Sequence, residues 1–190
     1  MKLGLSAALL SCLAAAVPGF VSAALIPNAD TPVFYLVAAD PYTENDTFLP
    51  LRLYGNNGQA TLTGYGPIAK LYYINNTLVG EDPIGADSPN LFHPYVDFKG
   101  DDGACGAPSG PFMFIQDSNR SSASNCAAWG TFFLFSDRMD AQLGAKLQLN
   151  NNLTSFYSCG KNRDIYYKQD VSDAPVDCTV PVQLYTLPVV

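Results

Sequence analysis

Short runs of alternating side chains, rich in Val, Tyr, Phe, Leu and Thr, recur along the chain and are separated by Gly, Pro, Asn and Asp. A period of two sends successive side chains to opposite faces of a strand, and no long stripe has the spacing of an amphipathic helix. The pattern predicts strands at Val33–Ala38, Leu51–Tyr54, Gln59–Thr63, Ala69–Ile74, Tyr95–Phe98, Phe112–Gln116, Thr131–Ser136, Ala145–Leu149, Thr154–Ser158, Asp164–Lys168 and Val182–Leu187. We therefore expect an all-β fold.

Two segments, Leu51–Tyr73 and Ala145–Tyr167, resemble each other without gaps. They share an Asn-Asn pair, a glycine and a Tyr-Tyr pair at matching positions: Asn56-Asn57 with Asn150-Asn151, Gly66 with Gly160, and Tyr72-Tyr73 with Tyr166-Tyr167. Such a repeat is typical of one β-meander used in each half of a domain. We expect a single-domain antiparallel β-sandwich or barrel with an internal duplication. Chance similarity and a β-trefoil are the alternatives.

The N-terminus has the layout of a secretory signal. Lys2 precedes an apolar run from Leu3 to Val17, and a Pro-Gly break and the small residues of Val21-Ser22-Ala23 follow. The alternative, a membrane anchor, needs about 20 apolar residues without such a break. We expect residues 1–23 to be a signal peptide and residues 24–190 to form one secreted, extracellular domain that has no membrane contact after cleavage.

Acidic side chains outnumber basic ones by 17 to 10, and the lysines and arginines form no cluster. Nucleic acids and anionic membrane surfaces are bound mainly through clustered Lys and Arg. The charge pattern therefore argues against both as partners, and we expect a monomer.

One of the five cysteines, Cys12, lies in the expected signal peptide, which leaves Cys105, Cys126, Cys159 and Cys178. An even number of cysteines in an exported chain indicates disulfides, and no Cys-x-x-Cys pair points to metal or redox chemistry. Three pairings are open. We favour Cys105–Cys126 with Cys159–Cys178, because each closes a loop of about 20 residues, worth ~3 kcal/mol in the chain-entropy model.

Four asparagines meet the Asn-x-Ser/Thr rule for N-glycosylation: Asn45, Asn75, Asn119 and Asn152. Each falls beside a predicted turn, where a glycan could project into solvent. We expect an N-glycosylated protein in which one or two of these sites are idle.

Catalytic signals are weak. His93 is the only histidine, and there is no Gly-x-Ser-x-Gly elbow, so we interpret His93 as a loop or packing residue. We predict no catalytic, cofactor or metal site. A hydrolase would need two facing carboxylates, and the spacing of the acidic residues selects no pair.

Aromatic side chains offer one further signal, because sugar faces stack on them. In Tyr72-Tyr73 and Tyr166-Tyr167 the neighbours should point to opposite faces of a strand, so we expect one of each pair in the core and the other free for contact. Trp129 is a second aromatic candidate.

The C-terminal third carries a family resemblance. Its motifs are Leu147-x-Leu149, Phe156-Tyr157-x-Cys159-Gly160, Asp164-Ile165-Tyr166-Tyr167, Asp177-Cys178 and Leu184-Tyr185-Thr186, and the run Val33–Ala38 adds to them. Their order resembles the small secreted cell-wall mannoproteins of filamentous fungi that include the phialide-development wall protein. The resemblance implies a noncatalytic, glycosylated wall constituent with a role in wall integrity or development. Its implied partners are wall polysaccharide and other wall glycoproteins.

Two functions are thus in competition. The first is a secreted structural glycoprotein of a cell wall or extracellular matrix. The alternative is a secreted carbohydrate-binding module, or an effector, that acts on a polysaccharide or a host target.

Overall fold

The computed structural model describes residues 23–39, 48–54, 58–82, 90–136, 144–150, 155–169 and 177–190. Its strands are β1 Phe34–Ala39, β2 Leu49–Pro50, β3 Arg52–Tyr54, β4 Gln59–Thr61, β5 Leu71–Ile74, β6 Thr77–Gly80, β7 Phe92–Asp97, β8 Ser109–Gln116, β9 Ala127–Ala128, β10 Phe132–Phe135, β11 Lys146–Leu149, β12 Ser155–Cys159, β13 Asp164–Lys168 and β14 Cys178–Pro188. A short 3₁₀ helix, Asp117–Ser122, follows β8. The all-β prediction is confirmed.

The fourteen strands belong to one antiparallel sheet. Its pairings form a closed circuit through β1, β5, β6, β7, β8, β13, β12 and β14, because β14 pairs with both β12 and β1. The long strand β14 makes this closure: its first half runs beside β12, and its second half runs beside β1. Within the described ranges, no helix has the length and apolarity to cross a bilayer.

Every strand predicted from the alternating pattern overlaps an observed strand, whereas β2, β6 and β9 were not predicted. Strand β6 forms a hairpin with β5 through the two-residue turn Asn75-Asn76, and both turn residues have positive φ, 49° and 58°. This is the conformation of a type I′ turn, in which asparagine is favoured. The Asn56-Asn57 pair of the first similar segment lies outside the described residues.

The two similar segments differ in their pairing. In the first, β3 pairs with β4. In the second, the described residues of β11 pair with β10 and β14, while β12 pairs with β13 and β14. The described pairings therefore do not repeat the meander that the sequence similarity predicts.

The core is dominated by aromatic rings. Phe112 of β8 is fully buried, and its ring centroid lies 5.0 Å from Phe114, 5.4 Å from Phe132 and 5.3 Å from Phe156. These rings come from β8, β10 and β12, so this cluster joins strands that are distant in sequence. Aromatic pairs at such separations stabilise by about 0.5–1.5 kcal/mol beyond the area they bury.

The prediction that one tyrosine of each pair is free for contact is wrong for Tyr72-Tyr73. Tyr72 and Tyr73 are both buried, at 5% and 8% exposure, and so are their cross-strand neighbours Val79 and Leu78. The β5–β6 hairpin is therefore covered on both faces, which the period-two pattern alone does not reveal. In the second pair, Tyr167 is buried and Tyr166 is half-buried.

The two cysteine pairs favoured by loop length are the two that the structure joins. Cys105 and Cys126 are bonded at a Cα separation of 4.9 Å, and Cys159 and Cys178 at 4.1 Å. The first disulfide ties the loop after β7 to the segment before β9, and the second links β12 to the start of β14. Two disulfides are typical of proteins from oxidising compartments.

Buried tyrosines make the fold sensitive to alkali. Five phenols have a raised pKa, and burial is the main cause in each. Nearby carboxylates add to the increase for three of them. The five residues are Tyr72, Tyr73, Tyr95, Tyr166 and Tyr167. Phenols of the unfolded chain ionise near pH ~10, whereas the folded ones keep their protons to higher pH. Above about pH 10 the folded state therefore binds more protons than the unfolded state, so the free energy of unfolding falls as the pH rises.

We predict that the denaturant midpoint falls steadily above about pH 9. Tyr73→Phe should make this fall shallower, because it removes one of the groups that must ionise. The variant also loses the hydrogen bond from the Tyr73 hydroxyl to the Phe132 carbonyl. The difference in denaturant midpoint between variant and wild type at neutral pH measures that loss separately. A midpoint that stayed constant up to about pH 11 would contradict the prediction.

Candidate functional site

A cleft of about 240 Å³ opens between the β5–β6 hairpin and the segment that leads into β10. We call it the Trp129 cleft. Side chains from distant parts of the chain line it, and those with aromatic or polar groups are Asn76, Thr77, His93, Arg120, Trp129, Thr131 and Phe132. Amide, hydroxyl, imidazole and guanidinium groups thus line the same cleft as an indole, which gives the cleft an apolar wall and several hydrogen-bonding groups.

Trp129 is 38% exposed although it is a large apolar side chain. Its ring centroid lies 4.9 Å from that of buried Tyr95, and the Arg120 guanidinium carbon lies 4.6 Å from its centroid. A cation stacked on an indole is held by the negative face of the ring. The indole is therefore fixed from the core side by Tyr95 and contacted by Arg120, while part of it remains open to solvent.

The backbone around Trp129 is held by the turn after β11. A Cβ on Gly130 would overlap Leu149 Cδ1, so a side chain at position 130 would require the buried Leu149 side chain to shift. Asn150, in the left-handed conformation with φ of 53°, accepts a hydrogen bond from the Thr131 N–H on its side-chain oxygen at 3.0 Å. Its own N–H donates to the Thr131 carbonyl at 2.9 Å. These contacts fix the segment at the mouth of the cleft.

The opposite wall is braced from the N-terminal segment. The Asn76 N–H donates to Asp30 Oδ2 at 2.7 Å, and the Asp30 N–H donates to the Tyr73 carbonyl at 2.7 Å. The Tyr73 hydroxyl in turn donates to the Phe132 carbonyl at 2.8 Å. This hydrogen bond is buried and links the hairpin directly to β10, so the two walls of the cleft are connected at its base.

A second opening continues from the first. We call it the Phe133 groove; it has a volume of about 390 Å³ and shares Asn76, Thr131 and Phe132 with the Trp129 cleft. Its wall is mostly apolar, with Tyr73, Phe132, Phe133 and Leu134, and Phe133 is 40% exposed. Because the two openings share lining residues, an extended ligand could occupy both.

His93 lies in β7 opposite Ile115 of β8, and it lines the Trp129 cleft. From the sequence, His93 is interpreted as a loop or packing residue, because the chain has no catalytic or metal-binding motif that would include it. The structure places His93 in a strand rather than in a loop, in the wall of the cleft that Trp129, Asn76 and Thr77 also line.

The two glycosylation sequons in the described part of the chain both adjoin the cleft. Asn75 is exposed at the tip of the β5–β6 hairpin, and the next two residues, Asn76 and Thr77, line the cleft. Asn119 is exposed in the 3₁₀ helix directly before Arg120. The other two predicted sequons, Asn45 and Asn152, lie outside the described residues, as do residues 1–22 of the predicted signal peptide 1–23.

Carboxylates are sparse at this site. Among the described residues that line either opening, Asp30 is the one acidic side chain, and its Oδ2 is engaged by the Asn76 N–H. Burial raises the pKa of Asp164, which a hydrogen bond with Thr61 partly offsets, but Asp164 lies in β13 and lines neither opening. In the described ranges, no group of three or more His, Cys, Asp or Glu side chains could hold a metal ion.

No protein-family model, curated protein or solved structure matches this chain. Sequence reasoning named Trp129 as an aromatic candidate, but it did not identify Arg120, Asn76 or Thr131. The signals that could have pointed to them are their positions beside the two sequons and beside the only tryptophan of the chain.

Proposed function

We propose that this chain is a secreted, noncatalytic glycoprotein of a cell wall or extracellular matrix that binds carbohydrate in the Trp129 cleft. The observation that carries the proposal is a part-exposed indole in a cleft that Asn76, Thr77, Thr131 and His93 also line, with their amide, hydroxyl and imidazole groups. Sugar rings have apolar faces and polar edges. A cleft with one aromatic wall and several hydrogen-bonding side chains complements both.

The volume of the Trp129 cleft favours binding of one sugar residue of a longer polysaccharide. The Trp129 cleft is below the ~300–1,000 Å³ typical of sites for drug-sized molecules. It can hold a single sugar residue, while the adjoining apolar groove offers room for the next residues of a polymer. A structural wall protein with such a site would adhere to wall polysaccharide without a covalent anchor.

The setting is consistent with export. The two disulfides fit an extracellular protein. The exposed positions of Asn75 and Asn119 leave both accessible to N-glycosylation.

A noncatalytic role is part of the proposal. Glycoside hydrolysis generally needs two carboxyl groups on either side of the scissile bond. Asp30 alone would not supply them, and its engaged Oδ2 gives it a structural task in holding the hairpin.

Trp129→Ala should weaken binding of an oligosaccharide ligand by about 30-fold or more. Loss of a central tryptophan contact costs ~2 kcal/mol or more in binding sites, and ~1.4 kcal/mol corresponds to a tenfold change. A glycan array would identify the ligand, and isothermal titration would give the affinity of each variant. Phe135→Ala is the matched control, since Phe135 is a 55% exposed aromatic that lines neither opening.

Thermal unfolding of both variants would show whether the fold is retained. Equal affinity of the folded Trp129→Ala protein and the wild type would contradict binding in this cleft. A wild type that bound no glycan on the array would contradict the proposed function as a whole.

A further inference from the structure

We propose that N-glycans on Asn75 and Asn119 stand on the two walls of the Trp129 cleft and control which carbohydrates can enter it. This inference rests on the proposed function and adds the regulation of that same site. The ligands that fit between the two glycans are free oligosaccharides and the ends of polysaccharide chains. A polymer that continues past the cleft in both directions would collide with the glycans.

The Asn75 sequon belongs to the wall that the β5–β6 hairpin forms. Asn75 is exposed, and the other two residues of its sequon, Asn76 and Thr77, line the cleft. Successive residues of an extended chain lie about 3.3 Å apart, so a glycan on Asn75 begins within about 7 Å of the Thr77 backbone. The Asn76 N–H donates to Asp30 Oδ2 at 2.7 Å, which holds the hairpin tip. The glycan therefore starts from a fixed point at the edge of the cleft.

The Asn119 sequon belongs to the opposite wall. Asn119 and Ser121 are exposed in the 3₁₀ helix, and Arg120 between them lines the cleft. The Arg120 guanidinium carbon lies 4.6 Å from the centroid of the Trp129 ring, which places this sequon on the indole side of the cleft. The Ser122 hydroxyl donates to the Asn119 carbonyl at 2.6 Å and so holds the helix backbone at the point of attachment.

The size of an N-glycan relative to the cleft determines the effect. The cleft has a volume of about 240 Å³, which suits one sugar residue, whereas an N-glycan is a bulky chain of several sugar residues. Arg120 lines the cleft but not the Phe133 groove, so the Asn119 glycan stands at the part of the cleft away from the groove. A chain end can thus enter along the groove and stop at Trp129, while a chain that continues beyond Trp129 is blocked.

The test compares short and long ligands of the same sugar. Association rates are measured on the immobilised secreted protein for the hexasaccharides of mannan, β-1,3-glucan and chitin, and for the soluble polymers mannan, laminarin and glycol chitin. Glycopeptide mass spectrometry of the same preparation determines the occupancy of Asn75 and Asn119. We expect both to be occupied. Removal of both glycans should speed association of the polymer by about tenfold and leave the rate of the hexasaccharide unchanged.

Two substitutions together, Asn75→Gly and Ser121→Ala, remove both sequons without changing a residue that lines the cleft. Glycine suits the positive φ of position 75, and alanine at the exposed position 121 leaves Asn119 in place. Ser121→Thr is the matched control, because it changes the same position but keeps the sequon, and its rates should equal those of the wild type. If the double variant is not secreted, enzymatic trimming of the wild-type glycans to their first sugar residue removes the same bulk.

Each contrary result has its own meaning. An unglycosylated Asn75 or Asn119 in the secreted protein, or an unchanged polymer rate after removal of both glycans, would overturn the inference while the proposed function stands. A hexasaccharide rate that rises as much as the polymer rate would also overturn it, because the glycans would then fill the cleft instead of screening long chains. Failure of every ligand to bind any form of the protein, together with a blank glycan array, would overturn the proposed function and this inference with it.

Discussion

Replacing Phe112 with alanine is expected to lower the free energy of unfolding by about 3–5 kcal/mol, the range for truncating a buried phenylalanine. Phe112 has no exposed surface, and its ring contacts three other phenylalanines from β8, β10 and β12. The cavity would therefore open where several strands meet. Such a loss is a large share of the ~5–15 kcal/mol that stabilises a typical domain.

Urea unfolding followed by circular dichroism would measure the change. Phe135→Ala is the surface control, because its ring is 55% exposed and its removal should alter stability by no more than about 0.5 kcal/mol. If Phe112→Ala is not secreted, Phe112→Leu should show a smaller loss of the same sign. A Phe112→Ala protein as stable as the surface control would show that the aromatic cluster is not the core.

The second large effect concerns the disulfide between β12 and β14. Replacing Cys159 and Cys178 together with serine should destabilise the fold by about 2–5 kcal/mol and sharply reduce the secreted yield. Cys159 is only 6% exposed, so a serine hydroxyl there must also be buried. Export quality control is expected to retain a domain with so little remaining stability.

The double variant of Cys105 and Cys126 is the matched comparison. The two disulfides span 21 and 19 residues, so their chain-entropy contributions are nearly equal. Cys105 is exposed, however, so its replacement buries no hydroxyl there and should cost less. Wild-type yield and stability for the Cys159 and Cys178 variant would contradict a structural role for that bond.

The alternating pattern predicted most strands because a sheet with a buried face leaves a period-two signal in its sequence. It missed β6 because Thr77–Gly80 has three buried residues in succession and therefore shows no alternation. It wrongly predicted one exposed residue in the pair Tyr72-Tyr73, because a hairpin buried on both faces has no solvent-facing side. The closed circuit depends on the pairing of β14 with β1, a long-range contact that has no local signature.

The disulfide pairing was accessible because short loop closure favours cysteines that are neighbours in sequence. The cleft could not be predicted from the sequence, because its walls come from residues near positions 76, 93, 120 and 129 that only the completed sheet brings together. His93 illustrates the difficulty. A lone histidine has no motif to mark it, and it shares a cleft with Trp129 only once the sheet has assembled.

The most direct test of carbohydrate binding uses the fluorescence of Trp129, which is the only tryptophan in the chain. The secreted protein is titrated with the oligosaccharide that the glycan array selects, and the indole emission is recorded at each ligand concentration. Binding in the cleft predicts a saturable change in emission whose midpoint equals the calorimetric dissociation constant. Calorimetric binding without any change in the emission of Trp129 would place the sugar elsewhere and contradict the proposed site.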